Sequence, residues 1–199
     1  AGRFFDVALD AGCGAGDGAA LVYECALSPL VLEVGASALV APLLTGEALP
    51  RPIAIGRLAD LTRGIRFLGD ARTLLIDLGE DVAVIDMADV VVTELDGVYA
   101  YPLGKLAALP DLAAVRRLGA GKAAELRRLW RLALALEIAA AMQAATDFTT
   151  DYVKQRHVFG RPVGSFQAVK HRLAADAEKC RGSYWLAMKA AWSGRPLDA

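Results

Sequence analysis

Three residues near the C-terminal end of the chain have the types and the spacing of a site for nucleotide phosphates. Arg156 ends one helical pattern, and its guanidinium group can donate two parallel hydrogen bonds to pyrophosphate oxygens. Gln167 follows 11 residues later at the start of a second helical pattern and offers an amide donor to the same ligand. Phe159 lies between them in the sequence and supplies an apolar surface suited to a ring or a nucleotide edge. The three types together indicate binding of a phosphate-containing aromatic ligand.

Two long helices and a short loop are expected to position these side chains. Apolar residues at helical spacing predict helices over 122–155 and 166–192. Pro162 and Gly164 break the pattern between them, so the chain must reverse there. Ser165 is expected to cap the second helix, whose free N–H groups would attract phosphate. For an Arg-to-Gln spacing taken alone, a hairpin with a solvated arginine and a core phenylalanine is the simpler interpretation.

The rest of the chain divides into zones of different hydrophobic period. Residues 1–50 show helical spacing interrupted by glycines, and Pro42 and Pro50 are expected to close this zone. Residues 51–117 carry short β-branched runs that predict a small antiparallel β domain. Residues 118–199 are expected to form a helical bundle, so the predicted fold class is α+β and mainly α. The predicted strands are Thr73–Asp77, Asp81–Asp86 and Val90–Glu94.

Composition narrows the classes of partner and compartment. Apolar residues make up 55% of the 199 residues and the mean hydropathy is +0.37, which indicates extensive burial between subunits. The net charge of −1, without a basic block, argues against nucleic acid or an anionic membrane as a partner. Three cysteines without paired spacing fit free thiols in a reducing cytoplasm. No apolar run reaches the length of a membrane span, and neither histidine has a metal-ligand spacing.

The segment 152–173, YVKQRHVFGRPVGSFQAVKHRL, resembles the flavin-binding signature of the acyl-CoA dehydrogenases. The resemblance implies a helical domain, a β domain and a C-terminal bundle, usually in a tetramer. It also implies FAD as the cofactor, bound by Arg156, Phe159 and Gln167, with the ADP end of FAD reaching a neighbouring subunit. Arg131 lies 25 residues before Arg156 and matches an arginine that supports the family's active site.

The family reaction removes two hydrogens across the Cα–Cβ bond of an acyl-CoA thioester. A carboxylate takes the α-proton, and the β-hydrogen leaves as hydride to the flavin. The resemblance therefore implies an acyl-CoA substrate from fatty acid or steroid degradation. It also implies electron-transfer flavoprotein, or a similar protein, as the electron acceptor.

The catalytic base of the family is not found in the sequence. Most members carry it farther along the bundle than Ala199, and others carry it on the first bundle helix, where this chain has Trp130. The family's β-domain flavin motif is also missing after Ile55-Gly56. Glu137 is a substitute base to consider, although an intrahelical partner such as Arg131 or a solvated face is the simpler expectation for it.

Two explanations of the missing parts stay open. Either the chain is part of a longer protein, or it is a subunit that completes the FAD site of a partner, which supplies the base. The second is favoured here, in a homo- or hetero-oligomer with another acyl-CoA dehydrogenase subunit. A non-catalytic structural subunit remains a third possibility.

One motif points to a different class of enzyme. The segment 7–16, VALDAGCGAG, resembles the first motif of S-adenosylmethionine-dependent methyltransferases, a strand followed by a glycine-rich turn. Glu33 stands about where a ribose-binding carboxylate would follow. A methyltransferase would continue with alternating strands and helices, whereas here a β cluster and two long helices follow. A glycine-rich turn between helices is therefore the preferred interpretation.

Overall fold

The structure is a computed structural model that describes residues 3–61, 63–97 and 102–194. Its N-terminal part is helical, as the apolar spacing predicts. A 3-10 helix, Arg3–Leu9, precedes the helix α1, Ala15–Ala26. A second helical segment begins at Val34 with a π-helical turn, Gly35–Val40, and continues as α2, Ala41–Thr45.

Pro42 lies inside this second helical segment, so the expectation that it closes the helical zone is wrong. A proline has no N–H group to donate to the carbonyl four residues earlier, and the π-helical turn directly precedes it. The segment ends instead at Gly46, whose φ of 74° is the left-handed conformation that terminates many helices.

Short strands follow and form two sheets. In the first sheet the order is β1-β3-β4-β7, and in the second it is β2-β6-β5. All pairings in these sheets are antiparallel except that of β1 with β3, which is parallel. The parallel pair arises because the connection between β1 and β3 contributes β2 to the second sheet. The bounds are β1 Ile53–Arg57, β2 Ile65–Arg66, β3 Thr73–Asp77, β4 Val82–Asp86, β5 Val92–Leu95, β6 Leu103–Leu106 and β7 Arg116–Arg117.

The central strand β3 is buried on both faces. Leu75 packs into a core shared with the helices, whereas Leu74 and Ile76 pack into the core of the β part. Successive side chains of a strand point to opposite faces, so one strand serves two cores. This arrangement explains why the middle of β3, Leu74–Ile76, is continuously apolar and lacks the alternation of a half-exposed strand.

Two long helices complete the described chain. The helix α3, Lys122–Gln155, begins and ends at the predicted residues, and α4, Gln167–Ser193, begins one residue later than predicted. Between them lies a two-stranded hairpin of β8, His157–Val158, and β9, Arg161–Pro162. The first half of α3 packs on the N-terminal helices, and its distal half leaves large apolar side chains exposed.

Ser165 does not cap α4, contrary to expectation. It belongs to a 3-10 turn, Val163–Ser165, in which the N–H of Phe166 donates to the carbonyl of Val163 at 3.2 Å. This extra turn delays the start of α4, so that Phe166 occupies the capping position without a side-chain hydrogen bond. The Ser165 hydroxyl is buried and has no protein partner among the described residues.

Candidate functional site

The hairpin between α3 and α4 is held by backbone hydrogen bonds around Arg156. The N–H of Arg156 donates to the Tyr152 carbonyl at 2.9 Å, which ends α3. The N–H of Val163 donates to the Arg156 carbonyl at 2.7 Å, which closes the base of the hairpin. Arg156 itself has an extended backbone and an exposed side chain. The structure therefore places this guanidinium group at the point where helix, hairpin and solvent meet.

The tip of the hairpin has an unfavourable conformation for the residue that occupies it. Phe159 and Gly160 have φ angles of 51° and 76°. Two positive φ angles in succession are typical of a type I′ turn, which favours Asn-Gly rather than a bulky residue. A phenylalanine there costs about 1–2 kcal/mol relative to its relaxed conformation. The Phe159 side chain is nevertheless 95% exposed, so this chain gains no packing from it.

Gln167 is the first residue of α4, and its side chain is exposed. Arg156, Phe159 and Gln167 are therefore placed at the base of the hairpin, at its tip and directly after it. A contact that the sequence analysis missed supports this arrangement: the Arg161 guanidinium lies over the Phe166 ring, 4.0 Å from its centre. This cation–π contact ties β9 to the start of α4. The alternative of a core phenylalanine at position 159 is wrong, because the ring points into solvent.

Arg131 is exposed and far from the hairpin. With a rise of 1.5 Å per residue, the 25 residues to Arg156 place the two arginines about 37 Å apart along α3. The structure does not bring Arg131 together with the other three predicted site residues. It also does not pair Arg131 with Glu137, whose partner is Arg66 instead, at 3.2 Å.

The methyltransferase alternative requires a strand before the glycines, where the described residues form a 3-10 helix instead. Residues 3–9 form a 3-10 helix, and the glycine-rich segment that follows leads into α1. The Asp17 carboxylate accepts a hydrogen bond from the Gly14 N–H at 2.9 Å, so the glycines serve the start of a helix. The preferred interpretation, a turn between helices, describes this segment correctly.

A cavity of about 350 Å³ lies where the N-terminal helices, the β part and α3 meet. We call it the junction cavity. One wall is apolar, with isoleucines of β1 and residues of α3 that include Trp130, and the loop before and after β2 contributes charged groups. The lining residues are Glu33, Ala36, Ile53, Ile55, Gly56, Arg57, Asp60, Arg63, Gly64, Ile65, Arg66, Phe67, Trp130, Ala133, Leu134 and Glu137.

Glu33 is one of two glutamates in this cavity, and its carboxylate has a neutral partner. The Ser37 hydroxyl lies 2.7 and 2.8 Å from its two oxygens. Burial raises the pKa of Glu33 to about 7, against the smaller lowering effects of Ser37, the Ile53 backbone and the charge of Arg51. Near neutral pH this side chain is therefore present in both its acidic and its ionised form.

Glu137 is the other glutamate, and its carboxylate has a cationic partner. Burial raises its pKa, and the charge and hydrogen bond of Arg66 oppose that rise. The carboxylate fits against the backbone of Gly35, where a Cβ atom would come within 2.8 Å of Oε1. Gly35 thus leaves the space that the Glu137 side chain fills. The sequence indicated Glu137 as an acid within an apolar stretch, but its cavity could not be read from helical spacing alone.

Neither a membrane-spanning helix nor a cluster of metal ligands is found in the part of the chain that the structure describes. No described helix has the length and apolar character needed to cross a membrane. Within the same residues, no group of three or more His, Cys, Asp or Glu side chains is placed to hold a metal ion.

Comparison with known proteins identifies the C-terminal part by sequence. The sequence profile of the acyl-CoA dehydrogenase C-terminal domain matches residues 122–196. The acyl-CoA dehydrogenase IpdE2 of Mycobacterium tuberculosis is 51% identical over 41 residues, which make up 21% of this chain and 13% of IpdE2. The sequence relationship therefore rests on the segment that contains α3, the hairpin and α4.

Solved structures extend the likeness to nearly the whole chain at the level of the fold. A chain of the ChsE4–ChsE5 complex of Mycobacterium tuberculosis aligns with a TM-score of 0.71 at 20% identity, over 94% of this chain and 64% of its own length. Butyryl-CoA dehydrogenase of Megasphaera elsdenii aligns with a TM-score of 0.68 at 16% identity, over 98% of this chain and 70% of its own.

This chain spans less than two-thirds of the matched ChsE4–ChsE5 chain, and its match to IpdE2 covers a smaller share still. The matched profile and the shared α+β architecture nevertheless agree. Residues 122–196 thus match the acyl-CoA dehydrogenase C-terminal domain in sequence, and nearly the whole chain is similar to an acyl-CoA dehydrogenase in fold.

Proposed function

We propose that this chain is a subunit of an FAD-dependent acyl-CoA dehydrogenase and completes the FAD site of a partner that supplies the catalytic base. The observation that carries the proposal is the hairpin tip. Phe159 holds a strained backbone conformation and exposes nearly its whole ring, although no packing against the described residues compensates for either. Strain of this kind persists where it serves a contact, and here the contact would lie outside the chain.

The residues around the hairpin fit the phosphate end of such a cofactor. Arg156 offers an exposed guanidinium fork, and no side chain among the described residues caps the N-terminus of α4. Gln167 adds an amide donor in the first turn of that helix. These are the groups that bind and orient a pyrophosphate. When bound, FAD supplies the two-electron acceptor for the oxidation of an acyl-CoA thioester.

The need for a partner that supplies the base is argued from the residues of the first bundle helix. Trp130 stands where some family members have their base, and an indole cannot take a proton from carbon. Arg131 would then support the active-site region, as in the family, without acting on the substrate. The ChsE4–ChsE5 structure is a complex of two proteins, which supports a heteromeric assembly here. We further propose an acyl-CoA from fatty acid or steroid degradation as the substrate, electron-transfer flavoprotein or a similar acceptor, and the cytoplasm as the compartment.

Domain roles can be proposed on the same basis. Residues 1–50 would form part of a helical domain, residues 51–117 a small β domain, and residues 118–199 the first helices of the bundle. Residues 1–2, residue 62, residues 98–101 and residues 195–199 fall in these ranges but outside the described residues.

Absorbance spectra test the proposal directly. The chain would be purified alone and after co-expression with an acyl-CoA dehydrogenase that carries a base. We expect near-stoichiometric flavin bands only in the co-purified complex, and Arg156→Ala should remove most of that flavin. Arg181→Ala, an exposed arginine farther along α4, is the matched control and should retain it. Flavin-free complexes with normal assembly would contradict the proposal.

A further inference from the structure

The groups of the hairpin site lie on three separate pieces of backbone. Arg156 follows the last residue of α3, Phe159 lies at the hairpin tip, and Gln167 begins α4. One ligand can contact all three side chains only if the hairpin keeps a fixed orientation to both helices. A hairpin with two residues in each strand is not stable by itself, so contacts outside its own strands must hold it.

On the side of α3, the turn after the hairpin packs directly on the helix. A Cβ atom on Gly164 would come within 3.2 Å of the Val153 carbonyl oxygen and 3.3 Å of the Val153 Cγ2 atom. Val153 is a buried residue in the last turn of α3. The Val163 N–H donates to the Arg156 carbonyl at 2.7 Å. The backbone of the hairpin is therefore fixed to α3 at its base.

On the side of α4, the contact is made by a side chain. Arg161 lies in β9 opposite Val158 of β8, and its guanidinium carbon is 4.0 Å from the centre of the Phe166 ring. Phe166 directly precedes α4 and is half-buried, whereas Arg161 is exposed. Among the described residues no carboxylate forms an ion pair with Arg161, so the ring is the partner that places this guanidinium group.

We propose that Arg161 is a positioning residue of the FAD site. Its guanidinium group, stacked on the Phe166 ring, holds the hairpin against the start of α4, so that Arg156 and Gln167 bind the same pyrophosphate. Arg161 acts through Phe166 and does not itself bind the phosphates. The identity of the ligand as FAD rests on the proposed function.

The expected effect of this contact is on affinity. Groups that are already held in place lose less conformational freedom when the ligand binds. Loss of the stack should therefore weaken FAD binding although no contact with the ligand is removed. A direct contact between Arg161 and phosphate would behave differently, because it would not depend on the Phe166 ring.

A double-mutant cycle on flavin affinity tests this role. The complex with the partner would be stripped of flavin, and FAD titrated back while its fluorescence quenching gives Kd. We expect Arg161→Ala and Phe166→Leu each to weaken FAD binding by about fivefold, the size of an exposed cation–π contact. The double variant should be no weaker than either single variant, because both changes remove the same contact. Phe166→Tyr keeps the ring and should bind FAD like the natural complex.

The salt dependence of Kd separates positioning from contact with phosphate. Arg156→Ala should reduce this dependence, because a cation that pairs with the ligand is lost, whereas Arg161→Ala should leave it nearly unchanged. Arg181→Ala, an exposed arginine farther along α4, is the matched control and should keep the natural Kd. In the chain without flavin, hydrogen exchange at the Val163 amide should become faster in Arg161→Ala, because the hairpin opens more often.

An unchanged Kd in Arg161→Ala would overturn the inference. Losses that add in the double variant would do the same, as would a loss in Arg161→Ala that folded Phe166→Leu does not share. Circular dichroism on each variant separates loss of the fold from loss of the stack. If Phe166→Leu does not fold, the salt dependence and the Val163 exchange in Arg161→Ala decide the matter. A natural complex that binds no FAD would remove the proposed function and this inference together, whereas FAD bound equally well by Arg161→Ala would remove this inference alone.

Discussion

At the residue scale, the positions and partners of the titratable side chains are the features that the sequence alone could not predict. The sequence indicates Glu33 as a candidate ribose ligand of a methyltransferase, and it indicates Glu137 as a candidate base, as a partner of Arg131 or as part of a solvated face. The structure gives both a place in one cavity, Glu137 with Arg66 as its partner. These contacts join elements that are distant in sequence, and no local spacing encodes them. The helix-break signals at Pro162 and Gly164, by contrast, were local and marked the chain reversal correctly.

Glu33 should make the stability of the protein depend on pH. Its pKa rises from 4.5 in the unfolded chain to about 7 in the folded one, so its favourable contribution is complete below pH 4.5 and is lost as the pH rises to 7. We expect Glu33→Gln to gain stability relative to the natural chain over this window, by at most about 3 kcal/mol. Urea denaturation between pH 4 and 8 measures it, with the exposed Glu178→Gln for comparison. A constant difference across the window would contradict the assignment.

At the scale of elements, helices and strands were predictable where the pattern was long or strongly apolar. The bounds of α3 and β3 agree with the sequence, because a helical stripe and a β-branched run are local features. The parallel pairing of β1 with β3 was not predicted. The relative direction of two strands depends on the path of the chain between them, and this path is not written in a local pattern. The hairpin in the reversal was also missed: residues 157–158 and 161–162 are too short to show a strand pattern.

The conformation of Phe159 at the hairpin tip is expected to lower the stability of the isolated chain and to favour flavin binding in the complex. Phe159→Asn replaces a bulky side chain at positive φ by a residue that tolerates it, in a turn that favours Asn-Gly. We expect the isolated chain to gain about 1 kcal/mol of unfolding free energy, while the co-purified complex loses flavin. Chemical denaturation and absorbance report the two effects. Phe148→Asn, which removes an exposed phenylalanine from a regular helix, should not stabilise the chain.

At the scale of the whole molecule, the apolar composition and the exposed surface agree. The composition predicts extensive burial between subunits, and both long helices carry large apolar side chains that are exposed in this chain. Trp185 is 62% exposed and Trp192 is 88% exposed on α4, and Phe148 is 74% exposed on α3. Large apolar side chains exposed in this way mark candidate interfaces between subunits. Sequence composition could predict that such a surface exists but not where on the fold it lies.

Association should therefore depend on this surface. We expect Trp185→Gln to shift the sedimentation profile of the assembled protein toward smaller species, because exposed tryptophans are among the side chains that contribute most to the energy of an interface. The fold should be kept, since Trp185 contributes little to the core of its own chain. Analytical ultracentrifugation gives the answer, with Val91→Gln, an exposed apolar residue of the β part, as the control. Unchanged sedimentation would place the interface elsewhere.

The two-faced burial of β3 has a consequence for how the molecule comes apart. Leu75 belongs to the core under the helices, and Leu74 and Ile76 belong to the core of the β part. Each layer packs on one face of β3. Loss of structure in one layer would therefore expose a face of the strand on which the other layer depends. The two layers are therefore expected to lose their structure in a single cooperative transition. A ligand bound on the helical side would then protect the sheets as well, although it touches none of their inner residues.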